Sequence, residues 1–490
     1  MQNETHRRLK VEGQPIPKQA PKVRVQNWNE TFVGFDLKTA QIEASRCIQC
    51  PDAPCQTACP VGNDIPGAFR LLEIGDVIGA ANTFRETSNL PEMCGRLCPQ
   101  ERLCEGDCVV AYAIRPDTAE PQPPVAIGKL EAYVTDFQRK TKGWPMPKVE
   151  EPTGRRVAVV GAGPAGLAAA EELAKLGHAI TLFDAWTEPG GVLLYGIPNF
   201  KMEKQILDEY VAYLYKLGIK FVGETYVGRD TTIDELFTGG HDAVFLGHGA
   251  SVGNQLEIEG SDLPGVIMAT EYLVRGNLAP DLLPDALREP LPKSDRVLVI
   301  GGGDTSMDCV RTAVRLGAQE VTCVYRRTEK EQQGREEERV HAREEGVRFE
   351  YLAAPLRFEA GDDGRIARVH FGRMMLGEPD ESGRRRPVPT GEEFAVDAET
   401  VVIAIGYGGD EGVVGADGGI NTNRALVEVD PETFETTRPG VFAGGDAVNG
   451  ADLVVTALAD GRAAAKAIHG YLRSLPKQGP SSIVGIRPTR

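Results

Sequence analysis

The chain has 490 residues, a formal net charge of -17 and 41% hydrophobic residues. At roughly 150 residues per domain that is about three domains with ample apolar surface to bury, and the acidic balance argues against nucleic acid or an anionic membrane surface as the main partner. No apolar run reaches the roughly 18 residues that a spanning helix needs, and the polar start "MQNETHRRLKVEGQPIPKQ" has no signal-peptide core, so the expected location is cytoplasmic with no membrane partner.

Residues 1–150 lack strand signals. The segments "DIPGAFRLLEIGDVIGAANTFRETS" and "PPVAIGKLEAYVTDFQRK" space their apolar residues three to four apart and read as short helices. Eight of the ten cysteines lie between Cys47 and Cys108. In a reducing compartment such clustering points to metal or redox chemistry before disulfides. The first group, "CIQCPDAPCQTACP", holds Cys47, Cys50, Cys55 and Cys59; the second, "CGRLCPQERLCEGDC", holds Cys94, Cys98, Cys104 and Cys108. Eight thiolates suffice for two tetrahedral centres. Zinc favours paired C-x2-C hairpins, and only Cys47 and Cys50 have that spacing. The Cys-Pro ending at Cys59 is typical of [4Fe-4S] ferredoxins, in which that cysteine serves the other cluster. Two [4Fe-4S] clusters are expected, with structural zinc as the alternative. The Pro-rich stretch over 144–154 then reads as a linker.

Next comes "RRVAVVGAGPAGLAAAEELAKLGHAITLFD" (155–184): strand, Gly-rich turn, Ala-rich helix and second strand. Gly161 allows the tight turn, Gly163 a close approach of backbone to pyrophosphate, and Gly166 close helix–strand packing. Pro164 and Ala165 open the helix, whose N-terminus offers unpaired N–H groups to phosphate. Asp184 ends the second strand, where a carboxylate accepts hydrogen bonds from ribose hydroxyls. A similar unit returns at 295–327, with Gly301, Gly302, Gly303, Asp304 and Thr305 in its turn and Ser306 in place of the third glycine. Where the first unit has Asp184, this one has Tyr325 followed by Arg326 and Arg327. Guanidinium groups pair with a 2′-phosphate that a carboxylate would repel, so NADPH is expected here. The charged stretch "RRTEKEQQGREEERVHAREEGV" reads as a solvated helix with opposite charges three and four apart. Strands resume at 399–409, "GVFAGGDAVNG" (440–450) and a long helix follow, and the tail after Pro476 is expected to be mobile.

"GAGPAGLAAA", "EPGGVLLYGIP" (188–198), "GGGDTSMDC" and "RPGVFAGGDAVNGADLVVTALADGRAAA" together resemble the flavoproteins with two dinucleotide-binding domains. The resemblance implies an α/β fold class: an N-terminal α-helical iron–sulfur domain followed by two Rossmann-like dinucleotide-binding domains, the NADP domain inserted in the FAD domain. The expected boundaries are 1–150 for the iron–sulfur domain, 151–290 and 397–475 for the two parts of the FAD domain, 291–396 for the NADP domain and 476–490 for the tail. It also implies that Gly445 and Asp446 lie at the ribityl or pyrophosphate region of FAD, that the helix after Asp452 points at the flavin, and that Gly190 and Gly191 lie near the isoalloxazine. Many such proteins keep a redox disulfide beside the flavin. None is visible here, since Cys309 and Cys323 fall in the second unit and read as core cysteines. Electrons must therefore leave another way.

With the N-terminal cysteine motifs added, the chain resembles the small (beta) subunits of bacterial NADPH-dependent glutamate synthase, over about residues 25 to 475. Close relatives are the flavin and iron–sulfur part of dihydropyrimidine dehydrogenase and the large subunit of a bifurcating NADH-dependent ferredoxin:NADP oxidoreductase. This resemblance implies a crossed ligand set. Cys47, Cys50 and Cys55 share one cluster with Cys108, while Cys59, Cys98 and Cys104 hold the other, completed by Glu131 or by Cys94. Two departures from the family pattern are Gln332-Gln333, where Met-Pro is usual, and Tyr407, where Gln is frequent. The implied function is electron input: NADPH reduces FAD, FAD passes single electrons to the clusters, and these serve a partner. No catalytic acid, base or nucleophile is expected. The implied partner is the large (alpha) glutamate synthase subunit, in a hetero-oligomer making two glutamates from 2-oxoglutarate and glutamine, because no glutaminase or FMN domain is visible. The alternatives are another electron-accepting protein, as in a ferredoxin:NADP or sulfide-type oxidoreductase, and a zinc-stabilised interaction scaffold.

Overall fold

The structure, a computed structural model, describes residues 2–115, 119–380, 383, 385–415 and 419–476. Beyond residue 476 the expected tail lies outside the described residues.

The N-terminal region is helical. Its principal helices are α1 (Leu37–Ala44), α2 (Ile65–Glu73), α3 (Val77–Thr87), α4 (Pro91–Leu97) and α5 (Ile127–Lys142). Three of them start at an aspartate whose carboxylate accepts a backbone N–H of the first turn: Asp36 from Thr39, Asp64 from Gly67 and Asp76 from Gly79. Helix α2 buries Ile65, Ala68, Phe69 and Leu72, one stripe of a 3.6-residue period. Phe69 meets Phe84 of α3 edge-on, with ring centroids 6.3 Å apart. Leu130 and Val134 of α5 close the same core, which also contains Cys47, Cys104 and Cys108. The linker over 144–154 has no helix or strand, yet it is pinned. Trp144 stacks on Tyr213, and the N–H groups of Glu150 and Thr153 bond Lys175 O and Gly177 O at 2.9 Å.

From residue 156 strands and helices alternate. The first run is β1 (Arg156–Val160), α6 (Pro164–Lys175), β2 (Ala179–Phe183), α7 (Lys204–Lys216), β3 (Lys220–Val222) and β4 (Ala243–Leu246). The second is β5 (Val266–Met268), α8 (Ala269–Asn277), β6 (Arg296–Ile300), α9 (Asp304–Arg315), β7 (Glu320–Tyr325), α10 (Glu336–Glu344) and β8 (Arg348–Tyr351). Then come β9 (Ala353–Ala360), β10 (Ile366–Pro379), β11 (Arg385–Asp397), β12 (Thr400–Ile403), β13 (Val441–Ala443) and α11 (Val454–Ser474).

Two five-stranded parallel sheets result. The first has the order β13-β4-β1-β2-β3 and the second β5-β12-β6-β7-β8. Central strands β1 and β4 are buried throughout their apolar length, as parallel strands covered on both faces must be. The second sheet draws in 266–268 and 400–403, on either side of the 291–396 span that the resemblance implied. Three or four apolar residues fix no sheet by themselves; the pairing of β12 with both β5 and β6 decides it. Strands β9, β10 and β11 form a separate antiparallel sheet. Among the described residues no helix is long and apolar enough to cross a membrane.

The charged stretch is not a solvated helix. Helix α10 covers only Glu336–Glu344, and Glu338, His341 and Glu345 are buried. Their partners lie far away in sequence. Arg311 pairs with Glu338 and Glu345, and Arg24 with Glu345, each through contacts of 2.5–2.9 Å. The segment around Arg24 also reaches the first dinucleotide unit. Thr31 N donates to Phe200 O at 2.9 Å, and the rings of Trp28 and Phe200 stack. The N-terminal region thus ties the two dinucleotide units together.

Candidate redox site

The eight clustered cysteines surround two neighbouring cavities. Cys47, Cys50, Cys55 and Cys108 line one, with Phe69, Asp107 and Val110. Cys59, Cys94, Cys98, Cys104 and Glu131 line the other, with Asn63 and Gln100. Ile65 and Ile127 line both. The division is the one in the crossed ligand set, with Cys94 and Glu131 both at the second cavity. Each set of cysteines lines one common, mostly apolar cavity, a donor set that fits an iron–sulfur cluster. Burial pushes the thiols of Cys47 and Cys59 up to about 11 and that of Cys55 up to about 12. These groups are neutral without metal, and iron must displace their protons. Burial, with Cys94 next in effect, holds Glu131 well above the usual carboxylate range. Its Oε1 accepts from Asn63 Nδ2 at 3.1 Å.

At the first Gly-rich turn Gly161 has φ +97°, and a Cβ there would lie 2.4 Å from Gly247 O. Glycine is obligatory on both counts. Gly163 caps α6, and Pro164 takes the first helical position, where its missing N–H costs nothing. A Cβ on Gly163 would meet only Gly191 Cα, at 4.0 Å, so the phosphate side of the turn is open. Ala165 and Gly166 follow in the buried first turn of α6. Asp184, at the end of β2, accepts from Ala162 N at 2.6 Å and Trp186 N at 2.9 Å, which fixes its carboxylate beside the turn. Gly190 N donates to Ala162 O at 2.8 Å and brings Gly190–Gly191 against it. From the far end of the chain, Gly445 N donates to Asp460 Oδ2 at 2.9 Å. Burial pushes Asp446 up to about 6. A feature with no signal in the sequence is His248, beside Gly161. Both its ring nitrogens are buried and have no partner among the described residues, as a lining awaiting a polar ligand would.

The second turn repeats this geometry. Gly303 caps α9, which begins at Asp304, and nothing lies within 4 Å of a Cβ placed on Gly303. Gly301 and Gly302 precede it, and a Cβ on Gly302 would strike the ring of Tyr325 at 2.5 Å. Ser306 replaces the third glycine by directing its Oγ to Ala404 O. Arg326 is exposed and makes no hydrogen bond or ion pair among the described residues, whereas Arg327 is half-buried. Tyr407 stands at this turn, its hydroxyl shared with Thr270, at 3.1 Å, and Thr305. Gln332 is buried and accepts from Tyr351 at 3.1 Å.

Two further features have no signal in the sequence. Lys201 and Asp308 form a buried ion pair of 2.9 Å between the two dinucleotide units. Val455, at the start of α11, lines the second cysteine cavity. Only the folded arrangement reveals either, since each partner lies more than 100 residues away. Cys309 and Cys323 are buried in the second unit's core, as expected.

Residues 24–143 match the family described as dihydropyrimidine dehydrogenase domain II, 4Fe-4S cluster, and residues 155–461 match pyridine nucleotide-disulphide oxidoreductase. The first match sets aside structural zinc. AegA of Escherichia coli (strain K12) is 40% identical over 94% of this chain and 70% of its own. The glutamate synthase [NADPH] small chain of the same strain is 39% identical over 93% of this chain and 96% of its own. Mycobacterium tuberculosis FprA, in complex with NADPH, superposes with a TM-score of 0.56 at 21% identity, covering 66% of this chain and 85% of its own, a likeness of fold. The 4Fe-4S region, the two dinucleotide units and the length of these alignments together place the chain in the FAD- and iron–sulfur-dependent pyridine nucleotide oxidoreductase family that includes the glutamate synthase [NADPH] small chains.

Proposed function

We propose that the chain is an electron-input subunit that oxidises NADPH and hands single electrons to a protein partner, the large subunit of glutamate synthase. The carrying observation is the order of sites. The start of α11, which follows the Asp446 segment of the FAD unit, contributes Val455 to the second cysteine cavity, and that cavity shares Ile65 and Ile127 with the first. The FAD unit therefore adjoins the second cavity, and the second cavity adjoins the first.

In this reading Gly301–Thr305 and the N-terminus of α9 receive the pyrophosphate of NADPH, and Arg326 and Arg327 its 2′-phosphate. Gly161–Gly166, Asp184, Gly190–Gly191 and Gly445–Asp446 hold FAD. Cys47, Cys50, Cys55 and Cys108 hold one [4Fe-4S] cluster; Cys59, Cys98 and Cys104, with Glu131 or Cys94, hold the other. FAD, when bound, supplies the chemistry that joins two-electron hydride transfer to single-electron transfer. The protein contributes position and exclusion of water. Lys201 and Asp308 hold the two dinucleotide units in register, and apolar side chains wall both cavities.

A second reading, delivery to a different acceptor, is favoured by the 40% identity to AegA, an oxidoreductase not named as a glutamate synthase chain, beside 39% to the glutamate synthase small chain. An anaerobic pull-down with the cofactor-loaded protein separates the two. Recovery of a large glutaminase-like chain, with glutamate formed from 2-oxoglutarate and glutamine at the expense of NADPH, is the expected outcome. NADPH oxidation that never couples to that chain would overturn the assignment of partner.

A further inference from the structure

A buried arginine, Arg335, joins the second nucleotide turn to the loop that bears the second cavity's cysteines, beside a weaker bond of 3.3 Å from Glu336 N to Glu101 Oε1. On the nucleotide side, the segment 332–335 lies directly on the turn. Gly334 N donates to Gly302 O at 2.9 Å, and Arg335 N donates to Asp304 Oδ1 at 2.9 Å. A Cβ on Gly334 would lie 3.2 Å from Gly303 C and O, so the two backbones touch. A Cβ on Gly303 itself would meet nothing within 4 Å, which leaves room for a pyrophosphate.

On the cysteine side the Arg335 guanidinium divides its bonds. Nη1 donates to Arg96 O at 2.9 Å and Nη2 to Gln100 Oε1 at 2.8 Å. Arg335 and Gln100 are each 4% exposed. Gln100 is the hub of the second cysteine group. Its Nε2 donates to Cys94 O and Gly95 O at 3.3 and 3.1 Å, its main-chain oxygen accepts from Leu103, Glu105 and Gly106, and its side chain lines the cavity. The path from Gly302 to the cavity wall thus runs through one loop, one guanidinium and one amide.

We propose that Arg335 is a positioning residue that couples nucleotide occupancy of the Gly301–Gly303 turn to the redox properties of the centre at the Cys59/Cys98/Cys104 cavity. The proposal rests on the reading of function above. Hydrogen bonds around an iron–sulfur centre help set its potential, and Gln100 is bonded to the backbone on both sides of Cys98 and beside Cys104. A nucleotide that fixes the turn also fixes the 332–335 segment and, through Arg335, Gln100. Linkage makes the effect reciprocal, so reduction of the centre changes nucleotide affinity by the same factor.

The test is a redox titration of the anaerobically prepared, FAD- and cluster-loaded protein, followed by EPR, with and without tetrahydro-NADP, an analogue that cannot exchange hydride. The expected result is a shift in the midpoint of one centre and not the other. A tenfold difference in nucleotide affinity between its two states corresponds to about 59 mV. Arg335→Met should abolish the shift while both centres remain and the analogue still binds. If Arg335→Met fails to load its clusters, Gln100→Met, which removes the amide that receives the Arg335 guanidinium, decides by the same criterion. Two centres, bound analogue and no shift in the unaltered protein would overturn the coupling while leaving the functional reading intact, as would a shift that survives in the variant. A protein with one centre, or without nucleotide binding, would overturn both.

Discussion

Gly461 of α11 lies against the backbone of Ala165 in the first turn of α6, so closely that a Cβ at 461 would fall 2.2 Å from Ala165 O. The obstacle is main chain, which cannot swing aside. The late helix therefore closes onto the very turn assigned to FAD phosphate. Gly461→Val should separate the two helices, cost roughly 1–3 kcal/mol or more by overpacking and release the flavin. The ratio of flavin to protein absorbance reads this directly, and full flavin occupancy in a folded variant would contradict it.

Arg326 is the more accessible of the two arginines at the end of β7. Removing a charge-assisted hydrogen bond costs about 1.5–3 kcal/mol, or roughly 10- to 100-fold in affinity. Arg326→Ala should lower kcat/KM for NADPH by that factor and leave the value for NADH nearly unchanged. An unchanged NADPH/NADH preference would remove Arg326 from the 2′-phosphate site.

Cys55 and Cys59 are four residues apart and line different cavities. Cys55→Ala and Cys59→Ala should each eliminate one EPR signal of two, and not the same one. Loss of the same signal in both variants, with the other spared, would defeat the crossed ligand assignment.

The glycine turns are legible in the sequence because strand, turn and helix are local. Gly161, Gly163 and Asp184 do their work within about 25 residues of chain, and hydrophobic period reports such neighbourhoods well. Spacing alone does not divide the cysteines, since Cys108 reaches Cys47 across the helical core that only tertiary packing assembles. The stretch around Glu338 misleads for a related reason. A run of acids and bases looks solvated until its partners are known, and here they are Arg24 and Arg311, one from the far N-terminus. Short strands such as Val266–Met268 escape for want of length; their sheet is decided by β12, 134 residues later.

The buried carboxylate of Glu345 faces Arg24, Arg311 and Arg315, and although burial alone would raise it, Arg311 and then Arg315 hold it down to about 2. A carboxylate lowered on folding stabilises above its unfolded value near 4.5, and that contribution fades as pH falls toward 2. Glu345→Ala leaves the buried Arg315 without an ion-pair partner and takes one of two from Arg24 and Arg311, which keep Glu344 and Glu338, and should cost about 3–5 kcal/mol. Calorimetry at pH 7 should show the melting temperature falling, and acid unfolding of the variant should begin at higher pH. A variant that melts like the parent would show that the network contributes no net stability.

His178, in the turn before β2, shares a hydrogen bond of 2.9 Å between its Nε2 and Nδ1 of His469 on α11, while its Nδ1 meets Thr153 Oγ1 at 2.8 Å. Burial, followed by the neighbouring His469, depresses it from 6.5 to about 4. The neutral ring is the folded form, so its contribution is complete above pH 6.5 and is lost as pH falls from 6.5 to 4. Protonation sets a charge between His469 and the linker, and loosens α11 where it meets the first dinucleotide unit. Allowing for screening by solvent, the effect is on the order of 1 kcal/mol. His178→Gln keeps a polar side chain without the titration. Its melting temperature should fall less steeply than the parent's between pH 6.5 and 5, and parallel curves would assign the acid sensitivity to other groups.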